Sequence, residues 1–138
     1  MRLLLDTNVL IDYYLSRPVY CDDARQLFAL AVRGKAELWA SAKSFTDIFY
    51  VGRKAVGSEA MQRAIEASLA HLDVCSITMD DIQASLAERW PDFEDCLVAR
   101  AAAKVKADYL VTRDANGFTR STVPAISPAQ AVQMAEGV

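Results

Sequence analysis

Leu3-Leu4-Leu5-Asp6-Thr7-Asn8-Val9-Leu10-Ile11 is the stretch from which the fold can be read. Three consecutive leucines give no alternation of inward and outward residues, so they read as a short strand buried on both faces. Asp6-Thr7-Asn8 stops that run with three residues that cap helices well, and Val9-Leu10-Ile11 resumes an apolar pattern suited to a helix. A strand passing through one acid into a helix is the opening of an α/β unit.

The same alternation continues along the chain. A first helix is predicted from Val9 to Leu15, ended by Pro18, and a second from Asp22 to Arg33, stopped by Gly34. Glu37 to Ala40 reads as a strand, Ser44 to Val56 as a helix ended by Gly57, and Glu59 to Leu72 as another helix. Val74 to Ile77 reads as a strand. Thr78 then caps a helix to about Arg89, with Asp81 three residues on as a weak capping box. Asp92 caps a helix over Phe93 to Lys106. Tyr109 to Thr112 and Pro124 to Ile126 read as strands, and Ser127-Pro128 opens a last helix through Met134. Strands alternating with helices imply an α/β/α three-layer sandwich around a mostly parallel sheet, one domain over 1–138.

Composition narrows the function. The 138 residues are 53% hydrophobic and 24% charged, the profile of an ordinary globular domain. Nothing is long and apolar enough for a membrane span, and Asp6 cuts the leading apolar run too early for a secretory signal, so a cytoplasmic location is expected. Cys21, Cys75 and Cys96 form no CxxC pair and read as reduced packing residues. His71, far from any acidic motif, reads as a surface or packing residue. The net charge of -3 argues against a chain that coats nucleic acid by bulk charge.

Four aspartates stand where chemistry can be done. In an open parallel sheet the working site lies at the carboxyl ends of the strands. Asp6 follows the first strand directly, and Asp114 follows the Tyr109 strand in Thr112-Arg113-Asp114-Ala115-Asn116-Gly117. Asp95 opens a helix whose later residues, Cys96, Ala99, Ala102 and Ala103, let it pack close to the sheet. Asp47 lies between Phe45 and Ile48-Phe49. Each has a plainer reading: Asp6 as a helix cap, Asp95 as compensation of the helix dipole, Asp47 as an exposed acid of the first turn, Asp114 as a turn residue. Gathered together, four carboxylates would repel one another and raise their pKa values. Hard divalent cations such as Mg²⁺ or Mn²⁺ prefer oxygen ligands and would relieve that repulsion.

The same residues resemble the motifs of PIN domains. Leu4-Leu5-Asp6-Thr7-Asn8-Val9-Leu10-Ile11-Asp12 is similar to the first, Ser41-Ala42-Lys43-Ser44-Phe45-Thr46-Asp47-Ile48 to the second, Asp92-Phe93-Glu94-Asp95-Cys96-Leu97-Val98-Ala99 to the third and Val111-Thr112-Arg113-Asp114 to the fourth. Two departures stand out. Many relatives carry Glu where Asp47 stands. Many also carry Thr-Arg-Asn followed by an Asp-Phe pair, where this chain has Asp114 and then Gly117-Phe118. The resemblance implies a Mg²⁺- or Mn²⁺-dependent ribonuclease cutting single-stranded RNA. Asp6, Asp95, Asp114 and Asp47 would be its catalytic and metal-holding acids, with Thr7, Asn8 and Thr112 supporting them. In many bacterial members it also implies the VapC-like toxin of a type II toxin–antitoxin pair, a homodimer inhibited by a cognate antitoxin.

Positive charge beside the acids would hold phosphates; Lys43, Arg53, Lys54, Arg100 and Arg113 lie near them in sequence. Tyr50, Trp90 and Phe118 offer rings for base stacking or for the core. Tyr13, Tyr14, Tyr20, Phe49 and Tyr50 are candidates for a two-fold interface or an antitoxin groove. Three alternatives remain: a non-toxin RNA-processing nuclease, a silent RNA-binding or interaction module, and a haloacid-dehalogenase-like phosphatase. The last also begins strand-Asp, but it wants a second acid where Asn8 stands.

Overall fold

The computed structural model describes Met1–Gly137. Strands β1 (Arg2–Leu5), β2 (Glu37–Ser41), β3 (Leu72–Cys75), β4 (Tyr109–Val111) and β5 (Ala125–Ile126) form one five-stranded sheet in the order β3-β2-β1-β4-β5, with every pairing parallel. Among the described residues seven helices cover it: α1 (Thr7–Tyr14), α2 (Cys21–Val32), α3 (Ala42–Val56), α4 (Ser58–Ser68), α5 (Met79–Glu88), α6 (Phe93–Lys104) and α7 (Pro128–Ala135). A 3-10 turn spans Ala115–Phe118.

The triple leucine explains the layering. Successive strand residues point to opposite faces, so Leu3 and Leu5 enter a core built with α1, α2, α3, α4 and α7. Leu4 enters a second core of Cys96, Val98, Ala99 and Ala102 from α6, joined by Trp90 and Phe118. All three leucines are at most 1% exposed. The small residues of α6 bring its backbone close to the sheet, which is how its first turn comes to lie beside the end of β1.

Strand order sets the place of the site. The chain leaves β1 toward β2 on one side, while β4 lies on the other. The crevice between the carboxyl ends of β1 and β4 is therefore the point where the winding reverses, the usual ligand position in such sheets. Asp6 and Thr112 stand there, each extending the ladder by one bond, Asp6 N–H to Val111 O at 2.9 Å and Thr112 N–H to Ile126 O at 3.0 Å.

Several boundaries differ from those predicted. Helix α4 ends at Ser68 rather than Leu72, where the Ser68 hydroxyl donates back to Ile65 O and meets the Tyr14 hydroxyl. Strand β3 starts at Leu72, two residues earlier than predicted. It is an edge strand, so Asp73 and Val74 face solvent and only Leu72 and Cys75 are buried, which weakens the pattern. Helix α3 starts at Ala42, capped by the Ser41 hydroxyl. The capping boxes at Thr78–Asp81 and Ser127–Gln130 are both formed. The three cysteines are buried and unbridged, and His71 is exposed. Among the described residues no helix is long and apolar enough to cross a membrane.

Candidate active site

Asp6 is the N-cap of α1 and is 7% exposed. Its two carboxylate oxygens have different donors. Thr7 N–H reaches Oδ1 at 2.8 Å, and the Thr112 hydroxyl reaches Oδ2 at 2.8 Å. Thr112 Oγ1 in turn accepts the Asp114 N–H at 3.0 Å, so one hydroxyl ties the end of β1 to the loop that carries Asp114. Burial pushes the Asp6 carboxyl above its ordinary range, outweighing the bonds from Thr112 and Thr7. The plainer reading of Asp6 as a cap is thus realised without using up the carboxylate.

Asp95 sits on the first turn of α6, where the Asp92 side chain caps its N–H at 3.1 Å. Burial raises its pKa to about 6, and the negative charges of Asp92, Asp6 and Asp114 add to the shift. Asp114 precedes the 3-10 turn, and both acids point at Gly117 in that turn. A Cβ placed on Gly117 would meet Asp95 Oδ2 at 2.9 Å and Asp114 Oδ2 at 3.1 Å. Asp95 and Asp114 therefore share the space in front of Gly117, and the charge of Asp6 is near enough to add to the upward shift of Asp95.

Asp47 borders the same cleft but stands apart in character. The cleft, about 330 Å³, is lined by Asp6, Thr7, Asn8, Lys43, Asp47 and Asp95 among others. Lys43 Nζ bridges Asp47 at 2.8 Å and Glu94 at 3.0 Å, so the Asp47 charge is already paired. Burial alone would lower the Lys43 pKa, but the bonds from Asp47 and Glu94 raise it above its ordinary value. Glu94, which faces solvent, joins this group through Lys43. Three further residues carry no local signal: Ser44, fully buried, with its hydroxyl 2.7 Å from that of Thr7; Arg17 on the cleft wall; and Gly117.

The remaining candidates are spread more widely. Asn8 Oδ1 accepts the Arg113 N–H at 3.5 Å. Arg113 itself holds the buried Asp12 at 2.7 Å and lies over the Tyr20 ring at 4.0 Å. Arg100 turns to Asp81 at 2.6 Å. These two guanidiniums are committed to buried carboxylates. Arg53 and Lys54 flank the exposed Tyr50 ring at 5.1 and 4.3 Å. Trp90 and Phe118 meet edge to face at 6.4 Å inside the core rather than on a binding surface. Tyr13 stacks on Phe28, and Tyr14 and Phe49 pack against the core; of the aromatics expected at an interface, Tyr20 and Tyr50 stay exposed.

Among the described residues no three His, Cys, Asp or Glu side chains form a group that could by itself hold a metal ion. The donor set nevertheless suits a hard divalent cation. Magnesium keeps several waters and is commonly held by only one or two carboxylates. Asp6 and Asp95 offer oxygen donors only, and their raised pKa values mark negative charge that the protein does not neutralise.

Comparison with known proteins agrees with this arrangement. The family model described as PIN domain matches residues 2–116. No curated protein sequence matches the chain. Among solved structures, a chain of a toxin–antitoxin complex from Klebsiella pneumoniae is 25% identical, covers 91% of this chain and 97% of its own, and superposes with a TM-score of 0.67. A chain of VapBC2 from Rickettsia felis, bound to a DNA fragment from its promoter, is 20% identical, with coverages of 92% and 98% and a TM-score of 0.66. VapC20 of Mycobacterium tuberculosis, a toxin that cleaves the sarcin–ricin loop, is 16% identical, with coverages of 78% and 86% and a TM-score of 0.63. With its parallel sheet, its acids at the switch point and a family match over most of its length, this chain belongs to the PIN domain family and has the fold found in VapBC-type toxin–antitoxin assemblies.

Proposed function

We propose that residues 1–138 act as one domain, a Mg²⁺- or Mn²⁺-dependent endoribonuclease that cuts single-stranded RNA. The observation that carries this reading is the uncompensated charge at the switch point. Asp95 is held near pKa 6 by burial and by three carboxylates, while Lys43, the cation that acts against that shift, is shared between Asp47 and Glu94. A carboxyl raised by burial and by like charges in a cleft is a candidate working group.

The chain's own residues have distinct tasks. Asp6 and Asp95 would hold the cation, with Asp114 completing the set and Asp47 acting from the rim. Thr112 and Thr7 fix the Asp6 carboxylate in one orientation by donating to its two oxygens. A bound cation lowers the pKa of its water and stabilises charge on the phosphate. Lys43 and Arg17 on the cleft wall, and Arg53 and Lys54 beyond it, would position the RNA backbone without reading its sequence. No second histidine is available for an acid–base ribonuclease, since His71 is the only one.

We further propose that the chain is the toxin of a bacterial type II toxin–antitoxin pair, a cytoplasmic homodimer bound by a small antitoxin. The fold shared with toxin–antitoxin complexes supports this reading. The test is cleavage of a labelled single-stranded RNA with Mg²⁺ or Mn²⁺, with and without EDTA. Cutting that stops with EDTA is expected, and Ca²⁺ should bind but support little cutting because its looser geometry orients water poorly. Robust cutting in excess EDTA would refute the mechanism.

A further inference from the structure

The crowded space in front of Gly117 explains how Asp95 and Asp114 come to face the same point. Gly117 has an ordinary backbone conformation, so no turn requires glycine there. What it lacks is room. A Cβ would lie 2.9 Å from Asp95 Oδ2 and 3.1 Å from Asp114 Oδ2, inside ordinary contact distance for both oxygens. The turn cannot retreat easily. Phe118, 3% exposed, anchors it in the core against Trp90, and Gly117 N–H is bonded to Asp114 O at 3.2 Å.

We propose that Gly117 is a positioning residue: the side chain it lacks is the space through which Asp114 delivers its carboxylate beside Asp95. This inference rests on the reading of the acids as a divalent-cation site. One consequence follows from the geometry. The groups that would meet a new Cβ are the far ends of flexible side chains, so Gly117→Ala should fold normally while displacing one or both carboxylates.

Manganese binding, measured by calorimetry on the full chain without RNA, separates these effects from catalysis. Gly117→Ala should keep the far-ultraviolet spectrum and melting temperature of the wild type and lose about tenfold in Mn²⁺ affinity, as misoriented ligands usually do. Asp114→Asn should lose a similar factor. Adding Gly117→Ala to Asp114→Asn should cost less than the two single losses multiplied, because the carboxylate it would displace is already gone. Unchanged affinity in folded Gly117→Ala overturns the proposal. So does unchanged affinity in Asp114→Asn, which keeps the test decisive even if the Gly117 variant folds poorly. Wild-type protein that binds no Mn²⁺ overturns the metal reading beneath it as well, while normal wild-type binding with insensitive variants defeats only the role of Gly117.

Discussion

Two groups of acids around helix α6 are wired in opposite ways. Asp81, 3% exposed, receives Arg100 and Lys104 from α6, each at 2.6 Å, and also closes a capping box with Thr78. Burial works against its charge, but the bonds from Lys104, the Thr78 backbone and Arg100 outweigh that and hold its carboxyl far below the usual range. Asp95, on the first turn of the same helix, is pushed up to about 6 chiefly by burial and then by the charges of Asp92, Asp6 and Asp114. The protein had cations available and spent two of them on Asp81. Paired acids hold a fold together, and unpaired acids in a cleft are left for something else to neutralise.

The largest expected effect is on the unpaired side. Asp95→Asn should lower RNA cleavage by about a hundredfold or more, the scale on which loss of an electrostatic group in an active site is felt. RNA binding, followed by fluorescence anisotropy, should persist, because the basic residues remain. Full activity in this variant would erase the distinction between the two groups.

Next comes the paired side. Asp81→Ala removes the carboxylate that two cations and a helix start share. Arg100 and Lys104 are each about one-third exposed and can turn to water, so the loss of stability should be about 2 kcal/mol, below the full cost of orphaning a buried ion. Urea unfolding measures this. Activity per folded molecule should stay unchanged.

The two groups also respond to pH with opposite sign. The folded value of Asp95 is raised from 3.8 to about 6, so the folded metal-free protein binds that proton more tightly than the unfolded chain. Its stability should rise as pH falls from about 7 toward 4, by about 1 kcal/mol once solvent screening is allowed for. Asp81 is depressed, so its contribution is present above its ordinary value and is lost as pH falls further into the acid range. Urea midpoints of metal-free wild type at pH 7.5 and 5 should show the rise, and Asp95→Asn should reduce it, leaving the part of the same sign that the raised Asp6 contributes.

The smallest effect concerns the residue between the two regimes. Lys43→Met removes the cation shared by Asp47 and Glu94 at the cleft wall. Mn²⁺ affinity should rise and RNA affinity fall, each by about threefold, as expected for a partly screened charge. A change of the same sign in both would place Lys43 elsewhere in the mechanism.

Much of this contrast was legible in the residues, but unequally. The triple leucine ending in Asp6 marks a strand buried on both faces, and the small residues after Asp95 mark a helix lying close to the sheet. These local patterns place both acids near strand ends. The Thr78–Asp81 capping box was also readable, because its partners are three residues apart. Its ion pairs were not: Arg100 and Lys104 lie 19 and 23 residues away, and Arg100 read as a phosphate contact when it serves Asp81. Arg113 likewise reads as free charge but holds Asp12 across 101 residues. Glu94 does face solvent, and what nothing local shows is that Lys43 reaches it from α3. The edge strand β3 was displaced in the reading because an edge position exposes residues that a central strand would bury. The crowding at Gly117 is a property of three chain segments meeting, and no single segment reveals it.

The most direct measurement is a titration of Mn²⁺ into nitrogen-15-labelled protein, following paramagnetic broadening of backbone amide signals. If the uncompensated acids are the working site, the first signals to vanish are those of Asp6, Thr7, Asn8, Asp95, Cys96 and Asp114 to Gly117, while Thr78 to Ile82 around the paired Asp81 stay sharp. Broadening centred on Asp81, or scattered over the surface acids with Asp6 and Asp95 untouched, would contradict the account.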